Sequence, residues 1–177
     1  VYFIKSVVGG PSGYGEMLWG RAIGLSMTLV AISAPILGAV ADYSRAKKRM
    51  LFINCYLTVI FTALLYFVKP GDVFLGMLFF IIANFGFNSA NVFYDAFLPE
   101  ICQPEDIGKV SGFGWSLGYV GGLVSLLVAL VLVEINIRLV FPAVALHFFL
   151  FSLFTFFWLK EFKRPSKPSN YYRIAWQ

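Results

Sequence analysis

Apolar residues run along this chain in long, nearly unbroken blocks, and polar residues gather in the short gaps between them. A helix that crosses the roughly 30 Å hydrocarbon core of a bilayer needs about 20 mostly apolar residues. Five blocks reach that length: residues 18–41, 50–68, 73–98, 110–133 and 139–159. The gaps have physical causes. GGPSGYGE (9–16) is turn chemistry, because glycine adopts positive φ and proline fixes its own φ. DYSRAKKR (42–49) places five charges in eight residues, which lipid does not tolerate. KPGD (69–72) is a tight turn, PEICQPEDIG (99–108) holds two prolines and three acids, and VEINIR (133–138) is a short charged hairpin. VYFIKSVV (1–8) is apolar but too short to span, and the chain opens on Val1 rather than Met. It reads as the tail of a truncated first helix in a piece of a longer protein. The five blocks are then spans two to six of one bundle over residues 1–160, with 161–177 starting a linker.

Composition narrows the class. Apolar residues make up 59% of the chain and charged residues 13%. A soluble domain carries about 45–50% and 25% respectively. Disorder needs low hydrophobicity, and only 2 Cys rule out a disulfide scaffold. The fold class is therefore all-α, a polytopic transmembrane helical bundle whose partner is the lipid bilayer. Cys55 and Cys102 form no CxxC and have no histidine at ligand spacing, so neither a metal nor a cofactor is expected. The net charge of +5 reflects topology, not nucleic-acid binding. Counted by crossing parity, 10 of the 14 basic residues fall on one side. Arg45, Lys47, Lys48, Arg49, Lys109 and the tail lie there, and that side is assigned to the cytoplasm.

Polar residues inside the spans carry the candidate chemistry. In span four, Asn84, Asn88, Asn91 and Asp95 recur at spacings of 4, 3 and 4. At 100° per residue they fall on one stripe about 60° wide. Amides facing lipid would lack partners, and a carboxylate there costs several kcal/mol. The stripe therefore faces other helices or water. One reading is interhelical hydrogen bonding, worth about 0.6–2 kcal/mol per contact. The other is the wall of a substrate path, with Asn84 and Asn88 near mid-span and Asp95 at the cytoplasmic end as a gate or loop anchor. In span five, Gly114, Gly118, Gly121 and Gly122 share a face with Ser111, Ser125 and Ala129, which suits close helix packing. Trp115 and Tyr119, an i,i+4 pair beside it, are read as packing or as cavity lining. His147, the single histidine, is read as packing or as a functional group in span six. In span two, Pro35 predicts a kink, with Ser26, Thr28 and Ser33 placed to satisfy freed backbone groups, while Arg21 snorkels to the outer surface. Spans three and six are apolar nearly all round, as in FFLFSLFTFFWL (148–159), and suit lipid-facing positions. No nucleophile, base or metal spacing points to an enzyme.

Three blocks resemble a known family. GAVADYSRAKKRM (38–50) is similar to the signature loop of the major facilitator superfamily. NVFYDAFLPEI (91–101), followed by GKVSGFGWSLGYVGG (108–122), resembles the vacuolar amino-acid effluxer-like branch and its bacterial relatives. The resemblance implies a twelve-helix transporter of two six-helix bundles, in the cell membrane of a bacterium or archaeon. This chain would be the N-terminal half, lacking most of helix one and partnered by a missing C-terminal half. Gly38 and Asp42 match the signature glycine and acid, and Lys47, Lys48 and Arg49 its basic run. Helices three and six lie at the periphery of that fold, whereas one, two, four and five face the other half. Arg45 stands where the loop usually has glycine, and Ala46 where a basic residue follows. The Arg–Gln–Gly pattern of many proton-coupled members is absent from span four.

The expected function is secondary transport of a small solute, amino acids by resemblance, through alternating access. Asn84, Asn88 and Tyr119 are expected at the solute and Asp42 with the basic loop at the gate. A non-transporting membrane scaffold or assembly partner is the alternative.

Overall fold

The computed structural model describes residues 2–9, 13–43 and 46–159. Arg45 and the linker 161–177 lie outside the described residues. Every regular element among those described is helical. A short π-wound turn, Phe3–Val8, ends at Gly9, whose φ of 57° lies in the left-handed region. Gly13, at φ 89°, marks the end of the break. Helix α1 (Tyr14–Tyr43) begins earlier than its apolar block because Glu16 in the first turn complements the helix dipole. At about 1.5 Å per residue, its 30 residues run about 45 Å and continue through Pro35.

Helix α2 (Lys47–Leu64) tightens into a 3₁₀ turn at Leu65–Phe67. The following turn uses Gly71 at φ 93°, and the Lys69 backbone N–H donates to Asp72 Oδ2 at 3.0 Å. Helix α3 (Val73–Asp95) is followed by a single turn, α4 (Leu98–Ile101), where Pro99 takes a first-turn position that needs no N–H donor. A 3₁₀ turn at Pro104–Asp106 opens α5 (Ile107–Asn136). Asn136 turns extended (φ −162°, ψ 113°), its side chain accepts from the Arg138 N–H, and α6 (Val140–Trp158) returns. Helices α1, α2, α3, α5 and α6 correspond to spans two to six.

Among the described residues, four helical stretches are long and apolar enough to cross a membrane: Tyr14–Asp42, Lys47–Phe67, Val73–Ile101 and Pro104–Trp158. The last, of 55 residues, folds back at Asn136. Gly121 then meets His147, and Ser125 and Ala129 share a small cavity with Val140 and Val144, so α5 and α6 run antiparallel.

Helix α3 packs between α1 and α2, α2 also packs on α6, and α6 on α5. Small residues set the closest approach, because dispersion and backbone proximity drive association in lipid. A Cβ at Gly86 would lie 2.9 Å from the Asn54 carbonyl oxygen and from Thr58 Oγ1. Thr58 Oγ1 also reaches the Ala83 carbonyl at 3.2 Å, tying α2 to α3. Near the basic loop, Ala41, Leu51, Ala90, Phe93 and Phe97 form the main core cluster. At the opposite end Tyr2, Val7 and Val68 form a second. Helix α2, read from its sequence as apolar all round, buries one face through Lys47, Leu51, Cys55 and Thr58. Helix α5 has no buried residue.

Candidate solute crevice

The polar stripe of α3 divides by depth. Ser26 of α1 is fully buried, and its hydroxyl donates to the Ile23 carbonyl at 3.0 Å. It accepts from Asn84 Nδ2 at 2.7 Å. Asn88 Nδ2 donates to the Asn84 carbonyl at 2.8 Å and lies 3.3 Å from Asn84 Oδ1. The upper stripe is thus tied to α1 through Asn84, with Asn88 bonded to it within α3. Below it, Asn91 opens onto a cavity of about 240 Å³ beside Tyr94 and Phe148. Asp95 is exposed at the end of α3. Asn84 thus meets the interhelical hydrogen-bonding reading, while Asn91 lines a separate cavity. Ser26, Thr28 and Ser33 bond the carbonyls of Ile23, Gly24 and Val30, one turn back, and none bonds the carbonyl four residues before Pro35.

A cavity of about 450 Å³ lies against the upper stripe. Asn84 is the one stripe member in its wall, with Thr58, Thr62, Trp19, Phe80 and Phe87. Trp19 and Phe80 pack at 4.2 Å between centroids, and Phe3 joins Trp19 at 5.7 Å. The walls are therefore aromatic with few polar atoms.

At the basic end, Lys47 is 2% exposed and pairs with Glu100 Oε1, 5% exposed, at 2.7 Å. The same ammonium donates to the Ala96 carbonyl at 2.9 Å and stands 5.7 Å from the Phe97 ring centre. Lys48 donates to the Leu159 carbonyl at 2.7 Å, just past α6. The two lysines thus cap the C-terminal ends of α3 and α6, where helix dipoles favour cations. Neighbouring Arg49 and Asp42 are exposed, and a Cβ at Gly38 would meet nothing within 4 Å. Glu100 was legible only as a loop acid, since its partner is 53 residues away.

On α5, Trp115 and Tyr119 sit 6.5 Å apart and are 55% and 75% exposed. A Cβ at Gly114 would lie 3.1 Å from the Tyr94 hydroxyl, and one at Gly121 3.7 Å from His147 Nε2. At Gly118 and Gly122 it would meet nothing within 4 Å. His147 packs on Phe151 at 4.6 Å. Sequence reasoning missed a knot at the far end, because its members are 66 and 136 residues apart. There the Tyr2 hydroxyl donates to the Val68 carbonyl at 2.9 Å and accepts from Arg138 Nε at 2.6 Å.

Comparison with known proteins gives a consistent answer. The profile described as "Vacuole effluxer Atg22 like" matches residues 21–177. An uncharacterized MFS-type transporter, YxiO, of Bacillus subtilis (strain 168) is 34% identical over 114 residues, 64% of this chain and 27% of that protein. An uncharacterized protein of Aquifex aeolicus (strain VF5) is 31% identical over 113 residues, 62% of this chain and 28% of that one. The matched part is thus less than a third of either relative's length. No solved structure matches.

Proposed function

This chain belongs to the vacuole effluxer Atg22-like family, and from that membership we propose that it is the N-terminal bundle of a secondary transporter of the major facilitator type. The whole protein moves a small solute, amino acids first among the classes, by alternating access. Two bundles rock about a midplane site that is open to one side at a time. Its basic loop and C-terminal tail face the cytoplasm, and the membrane is that of a bacterial or archaeal cell. The single observation that carries this reading is the family match over residues 21–177, and the polar stripe from Asn84 to Asp95 on a membrane-length helix agrees with it. A helix facing lipid would not keep that content.

The open faces support a facing half. Among the described residues, no atom beyond the helix's own adjacent backbone lies within 4 Å of a Cβ position at Gly20 or Gly24 of α1, or at Gly118 or Gly122 of α5. Such glycines admit another helix closely. In this reading Asn84, Asn88 and Tyr119 meet the solute, and Asp42 with the basic loop latches the cytoplasmic gate. The test is flux of a labelled amino-acid mixture in vesicles holding the full-length protein, with Asn88→Ala and Asp42→Asn beside the wild type. Reduced flux in both variants is expected. Unchanged flux in both removes the site and gate assignments, and absence of flux in the wild type favours the scaffold.

A further inference from the structure

The cavities of about 450 and 240 Å³ lie end to end inside the bundle, and Phe87 lines both. Helices α2, α3 and α6 contribute walls to each. On α3 the walls run from Gly76 to Tyr94, about 27 Å along the axis. On α6 they run from Phe141 to Phe156, about 22 Å. Together they form one groove, nearly as long as the roughly 30 Å hydrocarbon core is thick. Residues of the turn Phe3–Val8 line its outer end. Three hydrogen bonds hold that end in place. The Tyr2 hydroxyl donates to the Val68 carbonyl and accepts from Arg138 Nε, and the Gly71 N–H donates to the Val7 carbonyl at 2.9 Å. Phe3 lies deeper than Val7, because a Cβ at Gly76 would be 2.9 Å from its ring. Traced toward the N-terminus, the turn therefore runs inward along the groove. Tyr2 keeps right-handed helical backbone, at φ −55° and ψ −52°.

We infer that this groove seats the helix preceding Phe3 in the full-length protein, between α2, α3 and α6. The occupant is a helix of this chain rather than a lipid tail or a solute. A single helical turn costs more to form than it returns, so Phe3–Val8 needs a longer helix to belong to. A backbone crossing hydrocarbon must also keep its hydrogen bonds within a helix. The relatives have length for it, since the matched part is less than a third of either. The polar wall suits a peptide. Asn84 Nδ2 gives one hydrogen to Ser26, its other has no acceptor among the described residues, and Asn84 lines the upper cavity. Asn91 lines the lower one. Seven residues separate them, about 10 Å along the groove. Side chains seven apart on a helix share a face at that spacing, whereas a lipid tail offers no acceptor at either level. Register follows from contacts. Phe3 is level with Gly76, so the residue facing Asn84 stands about eight positions before Phe3. Thr58 Oγ1 meets the Ala83 carbonyl, which sets Cys55 of the lower cavity near the level of Gly86. The residue facing Cys55 therefore stands about ten positions before Phe3. The seat is the same whether the whole protein transports or serves as a scaffold.

The experiment uses the full-length protein in membranes, with Cys55 as its sole cysteine. Single cysteines are placed in turn at each of about sixteen positions before Phe3, enough helix to run the length of the groove. Each variant is oxidised with iodine, and the disulfide to Cys55 is measured by mass spectrometry of the digest. A disulfide forms only where the Cα atoms come within about 7 Å. Ser152→Cys is the positive control, since Ser152 lines the same cavity and its hydroxyl bonds to the Cys55 thiol. The expected yield peaks about ten positions before Phe3, recurs three or four positions to either side, and is at least about fivefold lower between, where side chains point away. Three results overturn the assignment: a disulfide in the control with none upstream, a peak more than about five positions from the expected level, or equal yield at every position. A variant that fails to fold removes one point of the scan and leaves the pattern readable. Flux is not the readout, so failure of the transport reading leaves this test intact.

Discussion

Replacing Lys47 by methionine keeps the length of the side chain and removes its charge. Lys47 and Glu100 are both at least 95% shielded from solvent, and the ammonium also holds the Ala96 carbonyl at the end of α3. Breaking a buried pair by removing one partner costs about 3–5 kcal/mol, because a desolvated carboxylate loses a close counter-charge. Glu100 has further contacts, which favours the lower end of that range. For a chain of this size each kcal/mol moves the unfolding midpoint by roughly 2–4 °C, so the drop is roughly 6–20 °C. The assay is a thermal ramp of the purified protein, in a Cys102→Ser background, with a thiol-reactive dye, since Cys55 is buried whereas Cys102 is partly exposed. Lys109→Met is the control. Its pair with Asp106 spans 2.9 Å but is 77% and 51% exposed, and such pairs contribute about 0.5 kcal/mol or less. Glu100→Leu added to Lys47→Met recovers part of the loss, because the buried carboxylate that Lys47 neutralised is gone. A Lys47→Met midpoint within 2 °C of the control, taking that as roughly the smallest resolvable difference, or a double variant no better than the single, would refute the reasoning.

Two glycines on different helices should respond in opposite ways. Gly86→Ala drives a Cβ to 2.9 Å from backbone and hydroxyl oxygens of α2 and should cost about 1–3 kcal/mol, whereas Gly118→Ala, in open space, should leave the midpoint within about 1 °C of wild type in the same ramp. Ser26→Ala removes the acceptor of Asn84 Nδ2 inside the α1–α3 seam and should destabilise by about 1–3 kcal/mol. Ser26→Cys, which restores a weak acceptor, should fall between the two. Equal midpoints for all three Ser26 forms would mean that the ladder does not hold the seam.

The polar stripe of α3 was legible because it is a local fact: four residues within three turns share a face whatever surrounds them. The glycine face of α5 was legible for the same reason, but its occupancy was not. Helix α6 meets that face at Gly121, a tyrosine of α3 meets it at Gly114, and Gly118 and Gly122 stay open. The basic run was legible as charge that cannot enter lipid. That Lys47 and Lys48 turn inward to cap α3 and α6 was not, because the receiving carbonyls lie 49 and 111 residues away.

By itself, the sequence determined a helical protein with membrane-length apolar segments, the breaks between them and the face on which each polar group sits. Those follow from hydrophobicity and a 3.6-residue period, which act over neighbours in the chain. Tertiary structure alone decided that Ser26 terminates the Asn84–Asn88 ladder, that Glu100 answers Lys47 and that Arg138 closes over Tyr2. Each depends on how two helices cross, and that is set by side-chain packing between segments far apart in sequence, which no local period encodes.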